Sequence, residues 1–107
     1  MNKISVLDCT LRDGGYVNDF NFSKQTIQTM ITKLGKAHID IIECGFLRDV
    51  DYQEDRSVYS RIEQITPFIT PKRKHSMYVA MIVTGTIQPS KIVPRTKDTI
   101  DGIRITF

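Results

Sequence analysis

No apolar run in this chain approaches the roughly 18 to 20 residues that cross a membrane, and Ile4-Ser5-Val6-Leu7 is too short for the apolar centre of a signal peptide. A cytoplasmic location with no membrane partner is therefore the expectation. Cysteine is scarce as well. Cys9 and Cys44, without a secretion signal, imply reduced thiols rather than a disulfide framework. A large excess of one charge is missing too: 15 Lys and Arg against 12 Asp and Glu leave a formal +3. The densest basic stretch, Lys72-Arg73-Lys74-His75, is short, has no interleaved aromatics and reads as a solvated connection, so nucleic acid is not an expected partner. What remains, 40% hydrophobic and 25% charged residues in a chain of 107, is the composition of one soluble domain with no room for two.

The apolar pattern predicts a βαβαβαβ order. Residues 4–7 favour a strand that stops at Asp8, and a polar stretch from Cys9 to Asn21 reads as a long loop. Ile27, Met30, Ile31 and Leu34 then share one face of a helix, with Ser23 as its N-cap, Phe22 stapled to Ile27, and Gly35 as the left-handed residue that ends it. Residues 39–46 form a second strand ending near Gly45. Val58, Ile62 and Ile65 predict a second helix, limited by Pro67. Residues 77–83 are continuously apolar, as in a strand buried on both faces of a parallel sheet. A short helix over 89–93 and a strand over 102–107 complete the pattern, and the unit lengths suit βα repeats.

In parallel α/β sheets the loops at the carboxyl ends of strands build the site. This rule gathers Asp8, Arg12 and Asp13 after strand one with Glu43 near the end of strand two, and it sends His38 and His75 to the opposite end. Asp13 is a hard oxygen ligand for a divalent cation, and Arg12 beside it suits an oxyanion. Gly14-Gly15 would let the backbone turn with positive φ so that both side chains face inward. The plainer alternative is a surface turn held by an Arg-Asp ion pair. Asp8 reads as a buttress for the loop, and Cys9 and Cys44 as small buried thiols at the ends of adjacent strands.

The string Asp8-Cys9-Thr10-Leu11-Arg12-Asp13-Gly14-Gly15 closely resembles the strand-one signature of the DRE-TIM metallolyases, a branch of the TIM barrels. Its extension through Tyr16, Val17 and Asn18, together with Ile42-Glu43-Cys44-Gly45-Phe46, is most similar to the aldolase-like members that resemble 4-hydroxy-2-oxovalerate aldolase. Asp101-Gly102-Ile103-Arg104 is a lesser match. The resemblance implies that residues 1–107 are the N-terminal half of a (β/α)8 barrel, which typically needs about 250 residues. It implies Asp13 as the ligand of a divalent metal, Mn²⁺ or Mg²⁺ with Zn²⁺ as a third option, and Arg12 as the stabiliser of an enolate formed on a 2-oxo acid or acyl substrate. Glu43 would hold Arg12 or a metal-bound water.

Two departures from the family pattern matter. The His-x-His pair that completes the family's metal site has no counterpart in this sequence, and Tyr16 stands near the position of the family's catalytic histidine. Tyr16 is either an acid or hydrogen-bond donor, or a packing aromatic. Arg104 is able to meet a substrate carboxylate only if its strand turns it to the barrel interior, and the expectation is against that role. The expected activity is a carbon-carbon lyase, with the isolated chain inactive for want of metal ligands. The alternative is a non-catalytic half-barrel that binds or assembles. Open sheet edges imply self-association in either case.

Overall fold

The computed structural model describes residues 3–107. They form a five-stranded, wholly parallel sheet with helices, which matches the predicted α/β class. In chain order the elements are β1 (Leu7–Asp8), α1 (Thr10–Asp13), α2 (Lys24–Lys36), β2 (Ile41–Leu47), β3 (Val58–Tyr59), α3 (Thr66–Ile69), β4 (Met77–Val83) and β5 (Gly102–Thr106). Single 3₁₀ turns lie at Gly14–Val17, Ile62–Gln64 and Pro89–Lys91, the last in place of the helix expected over 89–93. No helix among the described residues is long and apolar enough to cross a membrane.

The spatial order is β1-β2-β4-β5, with β3 also on β2. Ile41 pairs with both Leu7 and Met77, and Phe46 with both Val58 and Met81. A strand has only two edges, so β1 and β3 share one edge of β2, β1 at its start and β3 at its end. Between them the edge is filled by α1: the Ser57 hydroxyl donates to the Leu11 carbonyl at 2.6 Å.

Several local expectations change for identifiable reasons. The first strand is shorter than residues 4–7 because a side chain takes over the ladder: the Val6 N–H donates to the Asp40 carboxylate at 2.8 Å, and Ile4 is exposed. The stretch from Cys9 to Asn21 is no plain loop but contains α1 and a 3₁₀ turn. Neither Gly14 nor Gly15 has positive φ. Gly15 is required instead by close approach, since a Cβ there would lie 1.9 Å from the Phe20 ring. Ser23 caps α2 as expected, its hydroxyl accepting the Thr26 N–H at 3.2 Å, and Ile27 and Ile31 are buried. Gly35, however, lies inside α2. A Cβ at that position would meet Arg73 Cγ at 2.9 Å, and the left-handed residue beyond the helix is His38.

The helix expected over Val58, Ile62 and Ile65 is replaced by β3, a 3₁₀ turn and α3. The carbonyls of Ser57 and Tyr59 accept the N–H groups of Phe46 and Arg48 at 3.1 and 2.8 Å, which commits this backbone to the sheet. The Gln64 side chain then accepts the Ser60 and Arg61 N–H groups and starts a new turn. Pro67 falls in the first turn of α3, where its missing N–H costs nothing. All three apolar residues are still buried, so the periodicity marked burial rather than helix.

The main core lies between the sheet and α2 and α3, and includes Ile27, Ile31, Ile42, Cys44 and Ala80. A smaller cluster on the other face joins Phe20, Phe46, Val58 and Met81. β2 serves both faces through a bulge. Glu43 pairs with Val79 and Phe46 with Met81, three steps on β2 against two on β4. The extra residue reverses the alternation, so that Cys44 and Leu47 both enter the main core while Phe46 joins the cluster opposite.

At the amino end of the sheet, His38 and His75 are exposed, with ring centroids 4.2 Å apart. Lys72 departs from the expected solvated connection. Its ammonium donates to the Asp101 carboxylate at 2.6 Å and to the Thr99 carbonyl at 2.8 Å, and Asp101 in turn accepts the Tyr78 N–H.

Candidate functional site

At the carboxyl end of β1, Asp8 turns the chain into α1 by accepting both the Thr10 N–H and the Thr10 hydroxyl, the buttress expected of it. This one-turn helix buries Leu11 and places Arg12 over the sheet, 17% exposed. Beneath it Glu43, on the central strand β2, is completely buried. The Arg12 Nε donates to Glu43 Oε1, and the Arg104 Nη1 donates to Glu43 Oε2 at 2.7 Å. One buried carboxylate thus joins, on one face of the sheet, two guanidinium groups that come from its opposite edges.

Partial burial works against the Arg12 charge, but the hydrogen bond and the negative charge of Glu43 outweigh it and hold the guanidinium above its ordinary pKa. Arg12 therefore stays a cation. Its Nε faces Glu43 and its Nη1 lies 3.3 Å from Asp13, and among the described residues no group hydrogen-bonds its Nη2.

Arg104, expected to play no part, is the residue whose placement differs most. On β5 it stands beside Met81 of β4, which stands beside Phe46 of β2. The alternation of Ile103, Arg104 and Ile105 already put the arginine on the face opposite the isoleucines; which face that was depended on the partner strands. Tyr16 is 64% exposed and packs edge-on to Phe20 and Phe46, with ring centroids 5.2 and 6.2 Å away. Of the two roles considered, packing is the one its contacts display.

Asp13 is solvent-facing, at 67% exposure, with Arg12 as its ion-pair partner. Both oxygens of Glu43 are engaged by arginines. Among the described residues no three His, Cys, Asp or Glu side chains are grouped to hold a metal ion. Asp13 alone does not make a divalent-cation site, so these residues by themselves do not fit the metal that the sequence resemblance implies.

The two thiols are both free, but only Cys44 is fully buried. Burial, reinforced by the charges of Glu43 and Asp101, pushes the Cys44 thiol well above its ordinary pKa. An aromatic disulfide reagent is expected to consume one thiol, Cys9, in the folded protein and the second only on unfolding; rapid reaction of both without denaturant would contradict this packing. The raised pKa also fixes a sign. The folded state keeps its proton where the unfolded state loses it, so this stabilisation is whole below the unfolded thiol's value of about 8.5 and is lost as pH rises above it.

No protein-family model, no curated protein and no solved structure matches this chain.

Proposed function

We propose that the chain is the N-terminal portion of a TIM-barrel aldolase or lyase that forms an enolate on a 2-oxo acid or acyl substrate. The observation that supports this most directly is the Arg12–Glu43 pair. A guanidinium pinned through Nε by a fully buried carboxylate, at the carboxyl end of a parallel sheet, keeps Nη2 available and preorganised. When the bond next to a carbonyl breaks, the electron pair moves onto the carbonyl oxygen, and a fixed N–H donor lowers the energy of that oxyanion without having to reorganise.

Glu43 positions Arg12 and Arg104. Tyr16, seated by its ring on Phe20 and Phe46, is the proposed proton donor. The divalent metal that the resemblance implies, Mn²⁺ or Mg²⁺ with Zn²⁺ as the third option, would supply Lewis-acid chemistry; Asp13 would be one ligand, and all the others would have to come from outside these residues. The reading likewise places further strands, or a second copy of the chain, on the outer edge of β5, where Ile105 is 57% exposed.

Oxalate, a planar dianion shaped like enolpyruvate, tests the reading. In arginine side-chain ¹H–¹⁵N spectra with Mg²⁺ present, oxalate is expected to shift the Arg12 Nε–H signal saturably, and Arg12→Met to weaken binding at least tenfold. Where deuterium exchange into pyruvate is measurable, the same change should slow it by roughly 10²- to 10³-fold. Oxalate binding that ignores Arg12→Met would overturn the assignment.

A further inference from the structure

Arg12 and Arg104 share Glu43, but none of the ion pairs among the described residues includes Arg48. Arg48 follows Leu47 at the carboxyl end of β2, and its backbone N–H donates to the Tyr59 carbonyl at 2.8 Å, which fixes the main chain. The bulge at Gly45 decides where the side chain goes: Leu47 enters the main core, so the next residue falls on the face of Phe46. Its guanidinium carbon lies 4.0 Å from the centroid of the Phe46 ring and 6.0 Å from that of Phe20.

The ring faces attract the charge but accept none of the five N–H donors. The Nε of Arg48 is buried without any hydrogen-bond partner, the one side-chain nitrogen or oxygen among the described residues in that state. Neighbouring carboxylates do not relieve it. Asp49 is held by the Lys91 ammonium and the Gln88 N–H, and Glu43 has both oxygens engaged. A buried donor left unmet costs free energy and calls for an explanation.

Phe46, Met81 and Arg104 stand side by side on three neighbouring strands. The Arg104 guanidinium reaches back to Glu43, so the Arg12–Glu43–Arg104 cluster and the ring that carries Arg48 share one face of β2, three residues or roughly 7–10 Å apart along the strand. That span suits a small molecule with two charged ends.

We propose that Arg48 anchors a second anionic group, a carboxylate or a phosphate monoester, at the end of the substrate remote from the reacting carbon. The enzyme thereby selects dianionic substrates. Binding requires the guanidinium to tilt on the Phe46 ring, so that Nε, buried as it stands, and one Nη meet the same oxyanion as a parallel pair of donors. The selection rests on the aldolase reading above; the anion site at Arg48 does not.

The test follows the Nε–H signals of Arg48 and Arg12 separately during titration with inorganic phosphate, with malonate and with neutral malonamide. Phosphate or malonate should move the Arg48 signal saturably and malonamide should not; the more effective anion identifies the group. Arg48→Met should weaken that binding at least tenfold. Arg48→Lys, which keeps the charge and the stem but not the planar donor pair, should weaken it at least threefold and guards against a variant that fails to fold. An Arg48 signal unmoved by both anions, or anion binding that survives both substitutions, overturns the anchor. If oxalate fails to engage Arg12 while phosphate or malonate still titrates Arg48, the anchor stands and the aldolase reading falls. The reverse pattern removes the anchor and leaves that reading intact.

Discussion

Glu43→Gln is expected to destabilise the protein by about 2–4 kcal/mol, because it leaves two guanidinium groups around a buried side chain that no longer carries charge. Removal of one partner from a buried ion pair typically costs about 3–5 kcal/mol, and the lower range applies here because Arg104 is 41% exposed and can turn to water. For a domain of this size the loss corresponds to a fall in Tm of roughly 10–25 °C. Asp13→Asn provides the contrast: the Arg12–Asp13 pair is exposed on the carboxylate side and should contribute less than about 1 kcal/mol. Chemical denaturation of both variants checks the difference. Equal and small losses would mean that the triad is not formed as described.

A second variant separates stability from function in the same triad. Arg12→Met, Glu43→Leu and Arg104→Met together remove every charge and replace it with apolar volume, which is often neutral or stabilising for buried ion pairs. This triple variant should recover most of what Glu43→Gln loses, yet bind no oxalate at Arg12. The triad would then be present because it orients a cation, at some cost in stability. Failure of the triple variant to exceed Glu43→Gln in stability would argue that the triad is mainly structural.

The features set by local patterns, or by the general rule that the site forms at the carboxyl ends of parallel strands, were legible in the sequence. The parallel α/β order, the N-cap at Ser23, the stripe of Ile27 and Ile31, the buried strand over 77–83 and the approach of Arg12 to Glu43 all follow from local patterns or from the rule for strand ends. What escaped depends on partners far away. Val58 is strand because Phe46 and Arg48 donate their N–H groups to the carbonyls of its neighbours Ser57 and Tyr59, and the local spacing says nothing of that. Gly14 and Gly15 looked like a positive-φ turn, but Gly15 is required by the Phe20 ring. Arg48 and Arg104 escaped for a common reason. Strand alternation gives two faces without saying which is the site, and the bulge in β2 reverses the count between Glu43 and Arg48.

That bulge underlies the second large expected effect, in Gly45→Ala. Gly45 has φ +145, a conformation other residues rarely adopt, and an added Cβ would lie 2.0 Å from the Ser57 carbonyl oxygen and 2.9 Å from its carbon. These are backbone atoms, and the same carbonyl accepts the Phe46 N–H, so relief of the clash requires β3 to separate from β2. Backbone strain of about 1–3 kcal/mol adds to overpacking of about 1–3 kcal/mol, for an expected loss of about 2–6 kcal/mol. A protein of ordinary stability would keep little of it. Gly85→Ala is the control: its φ is +88, but nothing lies within 4 Å of the added Cβ, so it pays strain alone, about 1–2 kcal/mol. The difference between the two variants isolates the contact with Ser57, and a Gly45→Ala loss no greater than that of Gly85→Ala would refute the bulge. Because the bulge puts Phe46 and Arg48 on the face of Glu43, any Gly45→Ala protein that still folds should also lose the response of the Arg48 Nε–H to phosphate and malonate.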